Sequence, residues 1–346
     1  MKITIVGAGV VGLACAVELS ERGADVEVVE QSASLGEAAC SWRAGGMLAP
    51  WCERESAGPL VKQLGEEAIP WWRKRFPGTV QNGTLVVAHG RDVVELSEFA
   101  RRSEGYRRLD REQLQALEPD LGERFGQALF YEQEAHLDPR AALCGLAELL
   151  SARGVPVRFG VKMGHEHARS LCSKGHAVIN CTGLAARDVL TDLRGVKGEM
   201  VLVRLREVSL QRPVRVLHPR IPIYIVPRGE GLFMIGATMI ESDDAGRVSV
   251  RSLLELLTAA YALHPSFGEA EVVELATGVR PAFLDNLPHL RRRDGVLHVN
   301  GFFRHGFLLA PALARMTAEV LLENRPLPDE RAPEVRNEDH RERLHA

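Results

Sequence analysis

No stretch of this 346-residue chain holds 18 consecutive apolar residues, so the sequence offers no membrane-spanning helix. Nor is there a surplus of basic charge. The 43 Lys and Arg face 46 Asp and Glu for a net −3, which argues against nucleic acid as the main partner. Cysteine is sparse and unpatterned. The six (Cys15, Cys40, Cys52, Cys144, Cys172, Cys181) form no C-x-x-C pair and no zinc spacing, and none follows position 181. A disulfide framework and a metal site are therefore not expected; a reducing, cytoplasmic setting is, with most thiols packed as small apolar groups. A signal peptide is not expected either. The run Lys2-Ile3-Thr4-Ile5-Val6 leads into Gly7-Ala8-Gly9 and an amphipathic helix, and so reads as a buried strand. What remains, 45% hydrophobic and 26% charged residues, suits a soluble enzyme of one or two domains.

The first 30 residues predict one βαβ unit: a strand at 2–6, a helix at 10–22 with Gly23 as its C-cap glycine, and an alternating strand at 24–30. Residues 43–59, rich in Gly, Pro and Cys without a period, are expected to be irregular. Strands are predicted at 83–88, 155–161 and 177–180, and helices at 92–102, 110–117 and 138–152. Asp110 with Gln113 makes a capping box, and Asp138-Pro139 an N-cap followed by an N1 proline. From 197 to 238 successive β segments take over, turning at Gly229-Glu230-Gly231. A helix at 250–263, a loop opening at Arg280-Pro281, a strand at 296–300 and a helix at 311–323 complete the pattern.

Gly7-Ala8-Gly9-Val10-Val11-Gly12 is G-x-G-x-x-G set between a strand and a helix, and Glu30 ends the second strand 21 positions after Gly9. Gly7 permits the tight turn, Gly9 lets the backbone approach a pyrophosphate, and Gly12 allows close helix–strand packing. The helix N-terminus offers free N–H groups to phosphates, and Glu30 can accept from both ribose hydroxyls while repelling a 2′-phosphate. A dinucleotide is expected here; the fingerprint alone does not choose between NAD and FAD.

Seven further motifs follow in order: Ala44-Gly45-Gly46-Met47-Leu48-Ala49-Pro50, Asn180-Cys181-Thr182-Gly183, Val196-Lys197-Gly198-Glu199, Tyr224-Ile225-Val226-Pro227-Arg228, Ile235-Gly236-Ala237-Thr238-Met239, Gly278-Val279-Arg280-Pro281, and Arg304-His305-Gly306-Phe307-Leu308-Leu309-Ala310-Pro311. Together they resemble the flavin amine oxidases of the D-amino-acid oxidase type, and most closely the glycine oxidases of thiamine biosynthesis. The resemblance implies an α/β fold, with a Rossmann-like FAD-binding domain (1–80, 136–196 and 265–330) and an inserted α+β substrate domain with a mostly antiparallel sheet (81–135 and 197–264). Residues 331–346 are left as a charged tail. FAD would be held by Gly7, Gly9, Val10, Val11, Gly12, Glu30, Gln31, Arg43, Ala44, Gly45, Gly46, Met47, Val161, Thr182, Gly183, Arg304, His305, Gly306, Phe307, Leu308 and Leu309. The bulky Arg43 departs from the small polar residues expected in that flank.

The same resemblance assigns a substrate carboxylate to Arg280, with Tyr224 and Arg304 beside it and Met239 as an apolar wall; a planar guanidinium suits bidentate capture. The implied reaction moves a hydride from the substrate Cα to flavin N5 and needs no protein base, so His218 and His305 receive no acid–base role. Oxygen would reoxidise the flavin, giving peroxide and an imine for the thiamine thiazole. Sarcosine oxidases of this superfamily tether flavin through a Cys in the C-terminal half; with none there, FAD is expected to be non-covalent. A D-amino-acid or secondary-amine oxidase or dehydrogenase is the alternative, and a non-catalytic flavin redox sensor the alternative from another class. Homo-oligomerisation stays open.

Overall fold

The computed structural model describes residues 2–218 and 220–327. Two large sheets organise them. The six-stranded sheet has the order His289–Arg293, Val296–Asn300, Ala177–Asn180, Lys2–Val6, Asp25–Val29, Val157–Arg158, all parallel except the first, which pairs antiparallel with Val296–Asn300. Its central strands are largely apolar, as strands covered on both faces tend to be, and the buried Thr4 hydroxyl donates to the buried Glu27 at 2.9 Å. The helices Val10–Glu21, Ala68–Arg75, Pro139–Ala152 and Gly306–Leu322 pack on one face, and His165–Ser173 on the other. The expected strand at 155–161 is ordered as a ladder only at Val157–Arg158.

The nine-stranded sheet is mostly antiparallel, with Thr84–Ala88 and Val214–Leu217 as its parallel pair. One of its faces packs on the helices Arg111–Leu117 and Val250–Leu263, and the other on Val93–Arg102. The Asp110–Gln113 capping box is present, and Asp138 accepts from the amides of Arg140 and Ala141. Strands at Arg107–Asp110 and Gln127–Tyr131 were not expected.

Three expectations are corrected. Residues 43–59 are not irregular: a short 3-10 turn at Cys40–Arg43 leads to Met47–Leu48, which pairs with Ala135–His136, and then to the helix Pro50–Gly65, kinked at Gly58. Arg280-Pro281 does not open a loop. Both lie in the strand Glu271–Ala282, which runs antiparallel to Arg194–Arg204 and so carries part of the expected flavin segment 265–330 into the nine-stranded sheet. Proline is tolerated there because this strand has a ladder partner on one side only. The final helix starts at Gly306, with Pro311 inside it. Pro311 lacks the N–H that would reach the Phe307 carbonyl, and the Trp72 indole donates to that oxygen instead, at 2.9 Å. The expected charged tail, 331–346, lies outside the described residues. No helix among the described residues is long and apolar enough to cross a membrane.

Candidate active site

A cavity of about 1020 Å³ opens between the two sheets. Its dinucleotide end is built by the βαβ unit. Gly7 turns at φ +105°, and a side chain on Gly12 would strike the Gly7 carbonyl at 1.9 Å, so the helix Val10–Glu21 can approach only because that position is bare. The Glu30 carboxylate accepts from the Ala8 amide at 2.8 Å and the Ser32 amide at 2.9 Å, which fixes it at the strand end with lone pairs to spare for ribose hydroxyls. Val161, though past the end of its strand, is held at this site by its amide, which donates to the Glu30 carbonyl at 2.9 Å. Thr182 donates its N–H and hydroxyl to Asn180, and the Asn300 amide donates to the Gly183 carbonyl.

The middle of the cavity is lined by the loop Arg43-Ala44-Gly45-Gly46-Met47 and by the start of the final helix at Gly306, Phe307 and Leu308. Arg228 reaches across from the nine-stranded sheet. Its guanidinium donates to the carbonyls of Leu137 (2.8 Å), Ala44 (3.1 Å) and Gly45 (2.8 Å), and burial pushes its pKa down to about 10. The motif containing Arg228 was visible in the sequence; this clamp was not. The N-terminal end of the Gly306–Leu322 helix brings partial positive charge to the same region.

At the far end stand Arg280 and Tyr224. Arg280 lies over Gly198 on the neighbouring strand, where a Cβ would come within 2.1 Å of its guanidinium, and donates to the Thr238 carbonyl at 3.1 Å. No carboxylate pairs with it among the described residues. Burial lowers its pKa and raises that of Tyr224, whose ring packs against Gly45. Met239, 53% exposed, sits at the open end of the wall.

Arg304 is placed differently from expectation. It lines the cavity, but its Nη2 is 2.5 Å from Glu53 Oε2, and its Nη1 touches the Met239 sulfur at 4.0 Å. Glu53 also meets His305 Nε2 at 3.0 Å and Arg215 at 3.3 Å. Burial alone would raise this carboxyl; Arg304, His305 and Arg215 together hold it well below the usual carboxylate range. His305, 4% exposed, is pushed below its usual value by burial. Glu53 and Arg215 were missed because they come from a helix and a strand 162 positions apart, with no local pattern to join them.

The remaining expected residues divide cleanly. Gly7, Gly9, Val10, Val11, Glu30, Gln31, Val161, Thr182 and Gly183 share the cavity with the loop, the helix start and the four substrate candidates. Gly12 and Leu309 do not line it. Gly12 acts in packing, and Leu309 is fully buried in the core. His218 is elsewhere, accepting from the amides of Arg220 and Ile221. No cluster of three or more potential metal ligands occurs among the described residues.

The model of the FAD dependent oxidoreductase (DAO) family matches residues 2–320. The chain belongs to that family. FAD is its cofactor, and the glycine-lined turn, fixed Glu30 and roomy cavity suit that group. A relative named as the thiamine biosynthesis oxidoreductase ThiO of Rhizobium etli is 52% identical over 96% of this chain and 100% of its own. A glycine oxidase of Bacillus licheniformis is 28% identical over 92% of each. The crystal structure of glycine oxidase from Bacillus cereus superposes with a TM-score of 0.76 at 23% identity, covering 94% of this chain and 96% of that one, a likeness of fold.

Proposed function

We propose that this FAD-dependent oxidoreductase oxidatively deaminates glycine and similar small amines and supplies the imine for thiamine thiazole synthesis in the cytoplasm. The observation that carries the reading is Arg280: a guanidinium without a carboxylate partner among the described residues, beside Tyr224, in the cavity that also holds the dinucleotide fingerprint. A redox sensor has no use for such a clamp. The names of the 52% identical ThiO and of the glycine oxidase support the same substrate class.

When bound, FAD accepts the hydride from the substrate Cα and passes the electrons to oxygen as peroxide. The protein's share is positioning. Arg280 and Tyr224 grip the substrate carboxylate, and Thr238 holds Arg280 in turn, so the Cα–H bond is presented in one orientation, an effect worth several kcal/mol, roughly. With the substrate carboxylate on Arg280 and Glu53 already paired with Arg304, no free carboxylate is at hand to stabilise an ammonium. The substrate amine is therefore held neutral, with its lone pair free to support loss of hydride. We place FAD in the cavity without a covalent bond, with the six-stranded sheet as the cofactor domain and the nine-stranded sheet as the substrate domain.

Anaerobic mixing of the holoenzyme with glycine, sarcosine and D-alanine is the test. Glycine should bleach the flavin, and admitting air should then release peroxide. A flavin that stays oxidised with all three amines would overturn the reading. Flavin remaining in the pellet after acid precipitation would contradict non-covalent binding.

A further inference from the structure

Of the arginines that line the cavity, Arg280 and Arg304 stand near Tyr224, and Arg280 is the more open of the two. Arg280 donates to a single carbonyl, that of Thr238. Arg304 is held through Nη2, by Glu53 at 2.5 Å and the Ser56 hydroxyl, while Nη1 only touches the Met239 sulfur at 4.0 Å and Nε lies beside a His305 Nε2 that is turned to Glu53. Glu53 is itself fixed from three sides, since His305 and Arg215 share it with Arg304. Arg304 also stands beside Met239, whose exposure marks the open end of the cavity. The arrangement is thus an open cation in the cavity wall and a neutralised one near the opening.

We propose that Glu53 sets the number of anionic groups a substrate can carry, by locking Arg304 so that Arg280 is the guanidinium left free beside Tyr224. The inference rests on the amino-acid reading of the site given above. A glycine derivative with one carboxylate fills Arg280 and leaves its amine substituent pointing away from that carboxylate. A second carboxylate on the substituent, as in an N-carboxymethyl amine, would extend toward the rim. There it meets an Arg304 already paired with Glu53 instead of a free guanidinium, so its loss of water goes uncompensated. Glu53 is a specificity-determining residue that acts through Arg304.

Two non-oxidisable probes separate these effects: butyrate, with one carboxylate, and glutarate, which adds a second carboxylate to the end of the same three-carbon chain. Their dissociation constants are read from perturbation of the flavin spectrum of the holoenzyme, without turnover. The native protein should bind butyrate at least tenfold more tightly than glutarate. Glu53→Gln should improve glutarate relative to butyrate by tenfold or more, and adding Arg304→Met should return the ratio to the native value. A ratio unchanged in Glu53→Gln, or a gain that survives removal of Arg304, overturns the proposal. Should Glu53→Gln fail to fold, Arg304→Met alone decides: butyrate affinity within twofold of native supports the lock, and a tenfold loss makes Arg304 a direct contact and ends it. If native holoenzyme binds butyrate no better in the presence of Arg280 than after Arg280→Ala, the carboxylate clamp itself falls and this inference falls with it.

Discussion

Arg280 keeps a guanidinium in a low-dielectric wall with one carbonyl for company, a placement that is unfavourable until an anion arrives. Removing it should weaken a substrate carboxylate by about 3 kcal/mol, roughly 100-fold in KM, with less effect on flavin content. Steady-state kinetics beside the visible spectrum of Arg280→Ala separate the two. At the other end of the cavity, Glu30→Gln should loosen FAD by about tenfold, because a neutral amide accepts hydrogen bonds from hydroxyls less strongly than a carboxylate. Equilibrium dialysis of the variant reads that change. Glu30 and the glycines could be read in the sequence because strand, turn, helix and acid follow one another within 30 residues. Arg280 was legible only through the resemblance of its motif. Glu53, Arg215 and Arg304 could not be read as a group, since nothing local in the sequence tells an arginine that will be neutralised from one that will not.

Among the elements, those with chemical punctuation at their ends were the legible ones. The helix after Asp110 begins where its capping box says it should, and Asp110→Ala should lower stability by about 1 kcal/mol in urea unfolding while leaving flavin content intact. Where proline and glycine sit inside an element, the punctuation misleads. Pro59 and Gly58 lie within one kinked helix, Pro281 within an edge strand, and Pro311 one turn into the final helix. At Pro281 a free edge and at Pro311 a tertiary partner absorb what the proline breaks locally, whereas at Gly58 the helix itself is interrupted and Pro59 opens a second helical stretch. The Trp72 indole is that partner. Trp72→Phe keeps the ring but strands the buried Phe307 carbonyl, a loss of about 1–3 kcal/mol. Thermal unfolding should register that loss, together with weaker FAD retention, because the same helix start lines the cavity.

For the molecule as a whole, buried titratable groups shape the dependence of stability on pH. Burial raises Glu134 to about 8 and Glu118 to about 7, so the folded state binds more protons than the unfolded chain. Their contribution is complete below the ordinary carboxyl value near 4.5 and is lost as pH rises toward 8. His136 and His298, lowered to about 4 by burial, act in the opposite sense: their contribution is present above 6.5 and is lost as pH falls through 4. The slopes oppose each other between 4.5 and 6.5, and above 6.5 only the decline remains. Glu134→Gln should therefore raise the melting temperature at pH 8 relative to the native protein, with little gain at pH 5.

The two sheets were legible as separate patterns, one alternating with helices and one a run of β segments, whereas their join was not. Arg228 makes that join: it is rooted in one sheet and grips the carbonyls of a loop that belongs to the other side of the cavity. A ligand that settles the loop therefore settles the strand behind it, and the two halves share one mass-action account with FAD. Unfolding of the holoenzyme should be a single transition whose midpoint climbs with the logarithm of free FAD, so that the cell's flavin supply sets how long the substrate sheet survives as well as how many sites are charged.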